Sequence, residues 1–200
     1  MPTSEVQLVG QALQTFISWP RRLVRHISSS KKTQDILTVH RSKPSNDPIC
    51  DLREASLTLT YGNPFKVICP GSLFGVGAND FVFYITFDDI RELIERKMLN
   101  ISIIQFWMFY LNQKIEEHGY DDLYGFLEPQ SIQKSGNKKE EAINYINDRI
   151  KNSQKQIYLA PYIDQNHWQL LVLYPMSNVV VWFCSLHHKP TIHVKHLVKR

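Results

Sequence analysis

His167 stands directly after the polar run Asp164-Gln165-Asn166 and opens the apolar run Trp168-Gln169-Leu170-Leu171-Val172-Leu173-Tyr174. An imidazole at a strand end beside a loop can be held rigidly and still reach a substrate, so position alone leaves two readings, a surface histidine that simply begins a strand and a catalytic imidazole. Cys184, the last of three cysteines, closes a second apolar run that begins at Val179. Antiparallel strands joined by a turn at Pro175-Met176-Ser177-Asn178 would bring it near His167, which leaves a thiolate–imidazole pair geometrically open. A reactive thiol ordinarily sits at a helix N-terminus or in an electropositive, partly exposed pocket. Cys184 ends an apolar strand instead, and the expectation is a buried, inert thiol. Cys184, His187, His188, His193 and His196 also form a soft-ligand cluster. Their spacing matches no zinc finger, and the adjacent His187-His188 pair is poorly disposed to share one ion, so a solvated basic tail is expected and no metal or other cofactor is assigned.

The elements that must position these residues are legible as patterns. Gln156 to Pro161, His167 to Tyr174 and Val179 to Cys184 are expected to be strands, the first closed by its proline. Their apolar runs on both faces predict central strands covered on two sides. Upstream, Phe81 to Ile85 is a short strand candidate. Phe87-Asp88-Asp89 offers an N-cap for a helix carrying Ile90, Leu93, Ile94 and Met98 at helical spacing. After a break at Leu99-Asn100, Ile103, Ile104, Trp107, Met108 and Leu111 predict a strongly apolar, buried helix with Trp107 in the core. Gly136 to Lys155 predicts a charged helix with Ile143, Ile146 and Ile150 as its packing stripe. The reading is an α+β domain, helices first and a mixed central sheet after them.

Bulk properties narrow the classes. Two hundred residues with 43% hydrophobic, 21% charged and 12% aromatic content describe a globular chain with a real core. A formal charge of +4 tolerates an acidic partner without demanding nucleic acid. Cys50, Cys69 and Cys184 form no CxxC pair, so a reduced, intracellular setting is the simpler expectation. Residues 6–20 are interrupted by Gln7, Gln11 and Gln14 with no basic stretch before them, which argues against a signal peptide. No window has the roughly 18 apolar residues of a membrane span, so no membrane partner is expected. Residues 1–60 read as an N-terminal extension. Its segment from Arg21 to Lys32 is a basic linker in the plainer reading, a nuclear-localisation or nucleic-acid patch in the sharper one.

Two separated segments carry a resemblance. Ile157-Tyr158-Leu159-Ala160-Pro161-Tyr162, His167-Trp168-Gln169-Leu170 and Val181-Trp182-Phe183-Cys184-Ser185-Leu186 together resemble the histidine-bearing half of the ubiquitin-like-protein proteases, the SUMO proteases and their plant, often transposon-associated, relatives. Met98-Leu99-Asn100-Ile101-Ser102-Ile103-Ile104 is similar to that family's Trp-Leu-Asn-Asp-x-Ile-Ile segment. Tyr124 to Ile132 and Thr15 to Pro20 also resemble the plant members, so the likeness covers roughly residues 80–190, with a weaker anchor near the start. It implies a papain-like arrangement over residues 61–200, cysteine-type peptidase activity on SUMO or other ubiquitin-like-protein conjugates, and a nuclear location. It also implies His167 as general base and Trp168, Met98 and Asn100 as substrate-binding positions. Trp168 would help to wall the channel, a role compatible with that of an ordinary core tryptophan.

The departures matter as well. Cys184 occupies the place of the family's orienting Asp, and a thiol accepts only weak hydrogen bonds. Ser185 is a substitute, but neighbouring strand residues face opposite sides, so only one of the two should point at His167. Met98 and Ile101 replace the Trp and Asp of the upstream motif. The family's oxyanion glutamine and nucleophilic cysteine lie downstream of this strand set, and no cysteine follows Cys184. The expectation is a partial, C-terminally truncated domain that is inactive alone. The alternatives are a non-catalytic, degenerate binding module for a ubiquitin-like protein and a small Cys/His metal-binding tail.

Overall fold

A computed structural model describes residues 47–57, 63–77, 79–164 and 166–198. Residues 6–20, the basic segment from Arg21 to Lys32 and the Thr15–Pro20 match lie outside the described residues. The chain divides into two compact units, residues 1–58 and 59–200. Within the first, the described element is helix α1 (Pro48–Leu57). Asp47 accepts from Ile49 N at 2.9 Å and from the exposed Cys50 thiol at 3.3 Å.

The second unit is α+β. It opens with an antiparallel pair, β1 (Phe65–Cys69) and β2 (Phe81–Ile85), joined through a 3-10 turn at Gly71–Leu73. Helices α2 (Phe87–Ile94) and α3 (Ile101–Glu117) follow. After them come β3 (Tyr124–Phe126), the single-turn α4 (Pro129–Ile132) and α5 (Lys139–Ser153). Strands β4 (Ile157–Asp164), β5 (His167–Tyr174) and β6 (Val179–Phe183), then helix α6 (Ile192–Leu197), complete the described residues. The main sheet has the order β3-β4-β5-β6, with β3 parallel to β4 and the other pairs antiparallel. Strands therefore precede the helices as well as follow them, because Phe65–Cys69 supplies the partner that Phe81–Ile85 needs.

The main core lies where α5 and α6 cover one face of this sheet. Tyr158, Ala160, Tyr162, Leu171 and Leu173 meet Ala142 and Ile146 of α5 and Val194 and Leu197 of α6. Ile143 and Ile150 pack against the same cluster, so the expected stripe of α5 is the face that packs. Helix α3 is also inward: Ser102 to Phe106 and Met108 are buried. Trp107 is half-buried and rests on Tyr110 at 5.2 Å between ring centres, so the core role falls to its neighbours.

Three local expectations are revised. Thr86, not the Phe87-Asp88-Asp89 run, caps α2: its hydroxyl accepts from Asp89 N at 3.1 Å while Asp89 Oδ2 accepts from Thr86 N at 2.7 Å. This reciprocal pair satisfies two donors that the first turn leaves over. Pro161 does not close β4, which continues to Asp164. Beyond the end of β3, the side chain of Gln133 occupies the flank of β4. Its Oε1 accepts from Ile163 N at 3.0 Å, and its Nε2 is 3.3 Å from Pro161 O. Alternate residues of β4 thus direct their backbone groups to that flank. The missing N–H of Pro161 falls where no ladder bond is required. Finally, β6 is not central. It is an edge strand, as β3 is on the other side, and Val179, Val180 and Phe183 are substantially exposed because its apolar run pairs with one neighbour only.

Candidate functional site

His167 is the first residue of β5 and pairs with Asp164, the last of β4; between them Asn166 takes φ +62°. Asparagine tolerates that left-handed conformation better than most residues, so the sequence fits the sharp reversal that presents His167 at the sheet end. The imidazole is half-buried. Its Nε2 lies 3.5 Å from Ser185 Oγ, the side-chain hydrogen-bond partner it has among the described residues. At that separation the bond is weak, and the hydroxyl orients the ring only loosely.

Ser185 reaches His167 because strand alternation has already stopped. β6 ends at Phe183, and the chain then turns: His187 N donates to Cys184 O at 3.0 Å, and His187 takes φ +56°. Trp182 Nε1 fastens the turn by donating to His188 O at 3.2 Å. Cys184 is half-buried, and its thiol makes no hydrogen bond to His167 among the described residues. Cys69 is buried in the β1–β2 pair, its thiol 3.6 Å from Phe81 O, and burial pushes its pKa up to about 11. A thiol so shifted is protonated near neutrality and makes a poor nucleophile.

Trp168 carries the longer-range link. Its indole Nε1 donates to Leu99 O at 2.6 Å, across 69 residues of sequence. That carbonyl belongs to the Met98-Leu99-Asn100 segment leading into α3. Asn100 is the N-cap of α3, accepting from Ser102 N at 3.1 Å, and the Ser102 hydroxyl lies 3.3 Å from Asp89 Oδ2. The buried Asp89 carboxylate of α2 thereby stands at the start of α3, whose own first turn holds no acidic residue. A negative charge is favourable there, and Asp89 supplies it where Ile101 does not. Met98 projects into solvent, 51% exposed, beside this join.

His167, Trp168, Met98, Asn100 and Ser185 are thus tied to one end of the sheet through β5 and its contacts. Successive strand residues leave a sheet on opposite sides, so His167 shares a face with Gln169 and Leu171, and Trp168 with Leu170 and Val172. The imidazole and indole therefore lie on opposite faces of the sheet at the same strand end. Among the described residues no group of three or more His, Cys, Asp or Glu side chains is gathered as a metal ligand set. His193 packs on Tyr162 instead, with 6.3 Å between ring centres. No helix among the described residues is long and apolar enough to cross a membrane.

Sequence reasoning missed the Trp168–Leu99 bond and the role of Asp89. The first could not be read from local pattern. The second had a signal, the Thr86–Asp89 spacing of a capping box. Trp168→Phe tests the join: it keeps the ring but strands the Leu99 carbonyl, and should cost about 1–2 kcal/mol in denaturant unfolding. A loss no greater than that of an exposed control substitution would mean that the bond does not hold the join. No protein-family model matches this chain, and no curated protein matches it.

Proposed function

We propose that residues 61–200 carry the histidine-bearing part of a cysteine-type peptidase domain of the ubiquitin-like-protein protease kind, directed at SUMO-like conjugates. One observation supports this reading above the others: the Trp168–Leu99 hydrogen bond joins the two segments that separately resemble that family. Segments that form one substrate channel in a peptidase should meet in space, and nothing in their sequence separation requires it. In this reading His167 is the general base, Ser185 its orienting neighbour, and Trp168, Met98 and Asn100 belong to the channel for the modifier's tail.

The chemistry needs a thiolate next to the imidazole, since the ion pair is what lowers the thiol pKa. Among the described residues no cysteine side chain hydrogen-bonds to His167. The same observation favours a second reading, a module that binds a ubiquitin-like protein without cleaving it. The two hundred residues by themselves are therefore expected to leave a SUMO probe with an electrophilic C-terminus unlabelled, while binding unmodified SUMO in a titration followed by NMR. Labelling that disappears in Cys184→Ser would make Cys184 the nucleophile and overturn the assignment of an incomplete site. Absence of both labelling and binding would remove the SUMO-directed reading altogether.

A further inference from the structure

Three buried side-chain polar atoms among the described residues have no hydrogen-bond partner: Gln169 Oε1, Thr191 Oγ1 and His193 Nε2. They belong to one neighbourhood. Thr191 is the N-cap residue of α6 and makes no side-chain cap, His193 lies in that helix, and the His193 ring stacks on Tyr162, the cross-strand partner of Gln169. Helix α6 is only six residues long and is anchored by Val194 and Leu197, which enter the main core. Its apolar side is well seated while its polar side is docked against groups that do not satisfy it.

We propose that α6 is a pH-gated strap, closed over the β4–β5 face when His193 is neutral and released when that imidazole takes up a proton. A neutral imidazole tolerates a buried bare nitrogen, whereas an imidazolium places an unpaired N–H and a full charge in the same spot. The charged surroundings reinforce this. Lys134 from the α4–α5 connection, Lys139 at the start of α5 and His196 on α6 disfavour the cation, and Asp164 at the end of β4 favours it. Tyr162 faces the ring as a neutral phenol, its pKa pushed up to about 12 by burial, and Gln169 of β5 carries no charge.

Burial, the largest cause, and the two lysines hold the His193 pKa below its ordinary 6.5. The unfolded or undocked form therefore binds the proton more readily. Docking is at full strength above pH 6.5 and weakens as the pH falls from there through the lowered value. Release uncovers the face of the strand pair whose ends carry Asp164 and His167.

Hydrogen exchange of the full chain tests the strap. After correction for intrinsic exchange, protection across residues 191–198 should fall several-fold between pH 7.5 and pH 5.5, while protection of α3 stays constant. His193→Phe keeps a ring on Tyr162 and cannot titrate, so its protection should be equal at the two pH values. Constant protection in the parent chain overturns the proposal, and so does an undiminished fall in His193→Phe, which would place the switch on another group. Should that variant not fold, His193→Gln takes its place, and the ring titration of His193 in the parent chain decides independently. A midpoint at or above the ordinary histidine value overturns the strap.

Discussion

Replacing Glu128 with alanine lowers the unfolding free energy by about 3–4 kcal/mol, the sum of several stranded donors less some local relaxation. Glu128 is only 3% exposed, yet its carboxylate is saturated. One oxygen accepts from the buried Gln105 Nε2 of α3 at 2.7 Å and from Gln130 N at 3.0 Å. The other accepts from Ser131 N at 2.6 Å and Ser131 Oγ at 2.8 Å. The residue is at once the N-cap of α4 and the link from α4 to α3. Alanine removes the cap, leaves the Gln105 amide buried without an acceptor, and opens a void between the two helices. Glu128→Gln keeps the shape but offers an NH2 where donors already point, and should cost about half as much. The check is urea unfolding followed by circular dichroism, with the midpoint shifting at constant slope. A loss under about 1 kcal/mol for the alanine variant would refute the account.

Arg149→Ala carries the second large effect, about 3 kcal/mol. The guanidinium lies 8% exposed beneath Gly75, and burial lowers its pKa. It donates through Nε to Phe126 O at 3.2 Å and through a terminal nitrogen to Leu73 O at 2.7 Å. One helical turn earlier Tyr145 donates to Phe74 O at 2.7 Å and accepts from Glu128 N at 2.7 Å. Two residues of α5 thus clasp the turn after β1 against the strand β3, entirely through main-chain groups. Truncating the arginine strands two carbonyls and leaves a cavity under Gly75. Besides the global loss, exchange protection at residues 65–85 should drop more than protection in β4 and β5. A uniform decrease would show that Arg149 fills space without clasping anything.

Helices α2, α3 and α5 and strands β2, β4, β5 and β6 are legible because burial imposes a period on the sequence. The Ile143-Ile146-Ile150 stripe and the Ile103 to Met108 run are that signal. His167 stands out through the flanking segments that resemble a peptidase family, its strand-end place alone being equally that of a surface histidine. Helices α1, α4 and α6 and strands β1 and β3 are not legible, and the region expected to be a solvated basic tail instead seats Val194 and Leu197 in the main core. Edges and clasps leave no comparable mark. Val179-Val180-Val181-Trp182-Phe183 reads like a central strand because apolar β-branched residues suit any strand, and only the pairing order makes it an edge. The alternation rule left open which of Cys184 and Ser185 faces His167, and it is Ser185, two residues beyond the end of β6, that does. Glu128 and Arg149 are charged, so composition assigns them to the surface. Their burial depends on partners 20 to 80 residues away, beyond the reach of any local window.

The flank of β4 closed by Gln133 has a consequence for assembly. Where β3 stops, a glutamine amide does the work of a peptide group, offering one donor and one acceptor and then ending, so nothing further can stack there. β3 itself is three residues long. Among the described residues no strand pairs with the outer side of the five-residue β6, so a strand added to the sheet has a longer ladder to meet there than beside β3.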